Sequence, residues 1–98
     1  PKAIPALSKA LARDASHQVR SDAAYALGQM DDRRAASALI GAINDESATV
    51  RFEVVQAMGR SSDVRVLEPL NAALEDQNPD VRWAALRAIE KDYDDDWD

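Results

Sequence analysis

Three copies of one ten-residue stretch decide the fold of this chain: VRSDAAYALG at 19–28, VRFEVVQAMG at 50–59 and VRWAALRAIE at 81–90. The copies begin 31 residues apart, and each opens on a valine followed by an arginine. Similarity at one fixed period is typical of proteins built from structural repeats. Within each copy the apolar residues recur at the spacing of one helical face. The sequence therefore predicts a tandem array of similar helical units.

A second apolar segment follows the first in both full copies and completes the repeat. Asp32 and Asp63 stand in register ahead of it, and Leu39 and Leu70 match inside it. No segment alternates with the two-residue period of a strand over strand length. Because the connections are short, consecutive helices are expected to be antiparallel. These features predict an all-α fold, an α-solenoid of antiparallel helix pairs with about six helices.

The boundaries of the units follow from the same register. The predicted units are the second helix of a partial repeat at 2–14, full repeats at 16–45 and 47–76, and the first helix of a further partial repeat at 78–91. Together they form a predicted repeat domain at 1–91, which an acidic tail at 92–98 follows. Because the chain opens in the middle of a repeat, we expect it to be a piece of a longer array.

Polar and glycine residues at the ends of the segments predict the helix caps. Ser16, Ser47 and Asn78 can each accept a free backbone N–H of the helix that follows. Gly28 and Gly59 are expected to end the first helices in a left-handed conformation.

Two further expectations concern the helices themselves. Pro69 removes a backbone hydrogen bond inside its helix, so a bend or a loose first turn is expected at 64–68. The valines that open the three copies, Val19, Val50 and Val81, are expected to face the core.

Charge and composition narrow the class of partner. The net charge is −6, but residues 90–98 hold six acidic residues and one basic residue, so residues 1–89 are nearly neutral. Nucleic-acid-binding proteins usually show a basic face, and none stands out, so nucleic acid is not the expected partner. The chain has no cysteine, no signal peptide and no apolar run long enough to span a membrane. These absences favour a cytoplasmic protein.

The repeat resembles the HEAT family, especially the short HEAT-like repeats first noted in phycobilisome lyases. The resemblance rests on the pattern cap-x-x-V-R-x-x-A-x-x-A-L-G and on the turn aspartate and apolar helix that follow, over about residues 3–91. It implies a right-handed superhelix in which the second helix of each pair lines a concave side that commonly binds a partner. Glu90 departs from the pattern, because glycine stands at that position in the other copies.

Six repeated polar residues have two possible roles. The resemblance implies a structural ladder in which each arginine is bonded to a turn aspartate. Alternatively, the arginines form a surface that binds phosphate or carboxylate groups. The residues are Arg20, Arg51, Arg82, Asp14, Asp45 and Asp76.

The predicted partner-binding surface lies on the second helices. Helical spacing places six residues together on the concave side: Arg34, Ser37, Gly41, Arg65, Glu68 and Asn71. The chain is therefore expected to be a segment of a protein–protein interaction scaffold. The alternative is a non-catalytic accessory segment of a lyase or another enzyme, which would hold a pigment or a substrate.

The sequence shows no signature of catalysis. His17 is the only histidine, and a metal site needs several convergent ligands. The HEAT-like hydroxylases hold iron through His-Glu pairs, whereas Gln18 follows His17 here. No glycine-rich phosphate loop or nucleophile elbow is present. We therefore expect no catalytic residue, no cofactor and no metal, and no enzyme activity in this segment.

Aromatic and apolar residues near the ends carry the last expectations. Phe52 and Trp83 either form an exposed binding pair or pack across the repeat junctions. Tyr93 and Trp97 lie in the acidic tail, which is either a solvated terminus or a docking peptide for a basic partner. The end helices present apolar stripes that favour association: Ile4, Leu7 and Leu11 at one end, and Trp83, Leu86 and Ile89 at the other. We expect either end-to-end self-association or docking of Tyr93 and Trp97 over the last helix.

Overall fold

The chain folds into helices only. The structure is a computed structural model that describes the backbone of residues 2–95 and the side chains of residues 2–91. No strand occurs in this range. The helices are α1 (Ala3–Arg13), α2 (His17–Gly28), α3 (Arg33–Gly41), α4 (Ala48–Gly59), a 3-10 turn (Val64–Val66), α5 (Leu67–Ala73) and α6 (Pro79–Asp95). The side chain of Tyr93 and the whole of Trp97 lie outside the described residues.

The helices form two layers, which confirms the predicted helical repeat fold. In the first layer, α2 packs against α4 and α4 packs against α6. The second layer contains α1, α3 and α5, and it packs against the first through contacts such as α1 with α2 and α5 with α6. No helix in the described part of the chain has the length and apolar character needed to cross a membrane.

Side-chain oxygens cap the first-layer helices. Ser16 Oγ accepts the backbone N–H of Val19 at 3.3 Å, and Ser47 Oγ accepts that of Val50 at 3.4 Å. Asn78 Oδ1 accepts the backbone N–H of Asp80 at 2.8 Å. Each cap satisfies one of the N–H groups that a helix leaves unpaired in its first turn.

The helix-ending glycines serve packing, so the prediction of a left-handed conformation was wrong. None of the three glycines has a positive φ. A Cβ at Gly28 would lie 2.6 Å from the Cβ of Ala57, and one at Gly59 would lie 2.9 Å from the Cβ of Ala88. Neighbouring first-layer helices therefore approach so closely that only glycine fits. Gly41 differs, because a Cβ there would meet no atom within 4 Å.

The core lies between the two layers, with one correction at its edge. Leu27, Leu39, Met58 and Leu70 are almost fully buried. Val50 and Val81 are also fully buried, whereas Val19 is 41% exposed. The prediction for Val19 was therefore wrong. Val50 lies on α4 and Val81 lies on α6, and each of these helices packs against the first-layer helix that precedes it. No first-layer helix precedes α2 among residues 2–95.

The start of α5 and the end of α6 differ from their counterparts in the other repeats, and the sequence explains both differences. The segment before Pro69 is a 3-10 turn, which confirms the loose first turn expected there. The last helix runs past Glu90 to Asp95, four residues into the predicted tail. Glutamate has a higher helix propensity than the glycine found in the other copies, so nothing stops α6 at this position.

Candidate protein-binding surfaces

Buried arginines join the consecutive repeats. Arg20 donates from Nε and Nη2 to the carboxylate of Asp45, at 2.9 and 3.1 Å, and from Nη1 to the backbone oxygen of Asp14 at 2.8 Å. Arg51 repeats this arrangement 31 residues later, with the carboxylate of Asp76 at 3.0 and 3.3 Å and the backbone oxygen of Asp45 at 2.8 Å. Both arginines are buried. Each one therefore fixes its own turn and the turn of the next repeat.

Arg82 makes only part of this arrangement. Its Nη1 donates to the backbone oxygen of Asp76 at 2.8 Å, and the residue is exposed. No carboxylate among the described side chains lies within ion-pair distance of it. Because Arg20 and Arg51 are buried and bonded to aspartates, only Arg82 of the three has a guanidinium open to an external anion.

The six predicted partner-binding residues lie on the second layer. α3 carries Arg34, Ser37 and Gly41, all exposed, and the 3-10 turn and α5 carry the half-buried Arg65 and the exposed Glu68 and Asn71. We call the side formed by these residues the second-layer face. The structure brings Ser37, Arg65 and Glu68 together in one cleft. Arg34, Gly41 and Asn71 do not line that cleft.

Arg65 is held rigidly at the centre of the second-layer face. Its guanidinium donates to the carboxylate of Asp63 at 2.8 and 3.0 Å, to Ser37 Oγ at 2.9 Å and to the backbone oxygen of Arg33 at 3.0 Å. The hydrogen bonds that Asp63 accepts from the guanidinium and from the backbone N–H of Arg65 lower the pKa of its carboxyl group to about 2. Since Ser37 and Arg33 belong to α3, the side chain of Arg65 ties the two second-layer segments together across the repeat boundary.

The cleft beside Arg65 has apolar walls that the sequence analysis did not assign to it. It has a volume of about 570 Å³ and is also lined by Ile40, Val64 and Pro69. Val64 is 76% exposed, so its aliphatic side chain is accessible on this wall. The sequence does contain a clue to this exposure. Val64 directly follows the capping residue Asp63 and lies outside the apolar stripe of its segment.

The first layer has a smaller groove between α4 and α6. A cleft of about 250 Å³ is lined there by Gln56, Arg60, Trp83 and Arg87, among others. Trp83 is 56% exposed and has Arg87 over its ring at 5.9 Å, whereas Phe52 is half-buried against the core. The two aromatic residues are therefore not equivalent: Phe52 packs at a junction and Trp83 stays accessible.

No metal site is apparent in the described part of the chain. His17 lies exposed in the first turn of α2. Among residues 2–91, no three His, Cys, Asp or Glu side chains are grouped so that they could hold an ion.

Comparison with known proteins identifies the repeat. The sequence matches the family described as HEAT repeats over residues 4–91. The chain belongs to the HEAT repeat family. The solved structure of human deoxyhypusine hydroxylase in complex with glycerol is similar to it, with 28% sequence identity and a TM-score of 0.83. That match covers 92% of this HEAT chain but only 32% of the human enzyme. No curated protein sequence matches the chain significantly.

These comparisons correct one expectation and leave another untested. The sequence analysis was wrong to exclude enzyme activity, because a similar solved structure with HEAT repeats is that of an enzyme. Absence of a catalytic motif from one segment does not separate HEAT scaffolds from HEAT enzymes. The match is to HEAT repeats in general, so the closer resemblance to the phycobilisome-lyase type stays a prediction.

Proposed function

We propose that this chain is a HEAT scaffold segment that binds a protein partner on its second-layer face. The observation that carries the proposal is the cleft of about 570 Å³ beside the immobilised Arg65. Protein-binding sites typically combine an apolar pocket with a few fixed polar groups. Ile40, Val64 and Pro69 supply the apolar walls, and Ser37 and Glu68 supply polar groups at the edge.

The immobilised arginine favours binding for an entropic reason. Four hydrogen bonds already fix its guanidinium, which has five N–H donors in all. A partner that packs against it therefore does not have to order a long flexible side chain, which commonly opposes association by about 0.5–1.5 kcal/mol. An extended segment with an aliphatic side chain opposite Val64 suits this surface.

Affinity capture with matched variants tests the proposal. Val64→Lys removes the apolar wall at an exposed position, and Thr49→Lys makes a similar change at an exposed position of the first layer. We expect the same protein to be retained by the unchanged chain and by Thr49→Lys, and to be lost with Val64→Lys. Equal retention by the two variants would place the partner elsewhere.

A second candidate function follows from the similarity to an enzyme. We propose that the chain is alternatively one segment of a larger HEAT enzyme, with the second-layer face forming part of the wall of the substrate site. The similarity to human deoxyhypusine hydroxylase over 92% of this chain supports it. The test is retention of a deoxyhypusine-containing protein by the chain and its weakening in Val64→Lys. No retention of that protein by the unchanged chain would contradict this candidate.

A further inference from the structure

The cleft beside Arg65 is one half of a longer groove between α3 and α5. A second cleft, of about 290 Å³, is lined by Ile43, Asn44, Pro69 and Glu75, among others. Pro69 also lines the cleft of about 570 Å³ described above. The two clefts therefore adjoin at this proline, and we call them together the α3–α5 groove.

The exposure of the α3–α5 groove does not depend on how far the stack of repeats extends. Val64, Glu68 and Glu75 are exposed on its later side, from the 3-10 turn to the turn after α5. Their register equivalents on the earlier side are also exposed: Arg33, Ser37 and Asn44. These equivalents stay exposed although α3 packs against α1 on one side and against the 3-10 turn on the other. A further repeat beside α5 therefore leaves such positions open.

The side chains that line the α3–α5 groove make it acidic. Arg65 is the only cation among the described side chains that line either cleft, and its charge is already paired. Of the lining acids, Asp76 is paired with Arg51. Glu68 and Glu75 are exposed, and neither lies within ion-pair distance of a cationic side chain among residues 2–91. Two carboxylates of the groove are therefore open to a cationic partner.

The positions of these two carboxylates define a spacing. Glu68 and Glu75 are seven residues apart in a mostly helical segment, which corresponds to about 10 Å at the helical rise per residue. An extended peptide covers about 10 Å in three residues. The apolar wall formed by Ile40, Val64 and Pro69 lies in the same cleft as Glu68. An aliphatic side chain of the peptide therefore belongs at the Glu68 end.

We infer that the α3–α5 groove binds an extended basic peptide segment, with two lysine or arginine residues about three positions apart and an aliphatic residue beside one of them. The inference rests on the proposed function, because it gives the chemistry of the partner that binds the second-layer face. The two cations pair with Glu68 and Glu75, and the aliphatic side chain packs against Val64. The net charge of −6 attracts such a segment from a longer distance, and the same charges disfavour an acidic segment.

Selection from a random peptide library displayed on phage, with the full chain as bait, tests the sequence of the occupant. We expect enrichment of peptides that have two basic residues about three positions apart and an aliphatic residue beside one of them. Enrichment of peptides without this pattern, or no enrichment, overturns the inference.

Fluorescence anisotropy of one enriched peptide then measures what each carboxylate contributes. Glu68→Gln and Glu75→Gln should each raise Kd by about two- to fivefold, which is the effect of losing one exposed ion pair. The double variant should raise Kd by the product of the two factors, because the two sites are separate. Asp22→Asn removes one negative charge from an exposed position of the first layer and should leave Kd unchanged. An equal rise in Asp22→Asn indicates general charge attraction and overturns the inference.

Val64→Ser distinguishes failure of the inference from failure of the proposed function, because it removes the apolar wall without adding a charge. Weaker peptide binding in Val64→Ser, with Kd unchanged in both glutamine variants, overturns the basic occupant and leaves the proposed binding surface in place. Peptide binding that Val64→Ser does not weaken overturns both. Circular dichroism checks the fold of every variant.

Discussion

The two layers of this solenoid use similar short helices for different purposes. In the first layer, helices approach so closely that Gly28 and Gly59 have no room for a Cβ, and buried arginines bridge the turns. In the second layer, Gly41 faces open space and Val64 is largely exposed beside a cleft. The difference indicates that these first-layer positions are constrained by packing, whereas Gly41 and Val64 in the second layer are not.

The largest expected effects come from the leucines between the layers. Leu39 and Leu70 are both almost fully buried at equivalent positions. Leu39→Ala or Leu70→Ala should lower the free energy of unfolding by about 2–5 kcal/mol, because each leaves a cavity. Against a typical stability of about 5–15 kcal/mol, either change can unfold a short array. Thermal denaturation measures the effect, and an unchanged melting temperature would contradict the placement of the core.

The glycines sharpen the comparison between the layers. Gly28→Ala forces a Cβ against Ala57, so it should destabilise the fold by about 1–3 kcal/mol through overpacking. Gly41→Ala meets no atom and has a helical conformation available, so it should stabilise the fold by about 0.5–1 kcal/mol. Urea denaturation of both variants measures the two changes. Effects of the same sign would show that the layers are equally constrained.

Low pH should weaken the pairing of Asp63 with Arg65, the residue that links the two second-layer segments. The pKa of Asp63 is lowered to about 2 by its hydrogen bonds with Arg65, against about 3.9 in an unfolded chain. A lowered pKa gives a contribution to stability that is present above the unfolded value and is lost as the pH falls towards 2. Urea denaturation between these pH values should therefore show a smaller decrease for Asp63→Asn than for the unchanged chain. Equal decreases would contradict this assignment.

Much of the fold could be predicted from the sequence, because the same apolar pattern occurs in each copy of the repeat. The 31-residue period and the apolar spacing predicted the helix pairs, and Pro69 predicted a bend or a loose first turn where the structure has a 3-10 turn. The role of Gly28 could not be predicted, since a left-handed cap and a close helix contact both require glycine. The exposure of Val19 depends on which helices are its neighbours, and its register position in the repeat is the same as that of Val50.

The candidate site was only partly predictable for a similar reason. Helical spacing grouped Ser37, Arg65 and Glu68 on one face, and the structure places all three at one cleft. Spacing alone does not show that Arg65 reaches across to Ser37, because that contact joins residues 28 positions apart. Nor does it separate the exposed Val64 from the buried Val66 two positions later.

The last prediction has the smallest expected effect on stability, and it tests most directly whether the second-layer face binds the partner. Ser37 and Asn71 are both exposed on the second-layer face. Replacing both with lysine should leave the circular dichroism spectrum nearly unchanged and lower the melting temperature only slightly, because neither side chain is in the core and the hydrogen bond that the change removes between Arg65 and Ser37 is exposed. The account predicts that this folded double variant no longer retains the partner captured by the unchanged chain. Undiminished retention by the folded variant, or loss of its helical signal, would contradict the assignment of this face to binding.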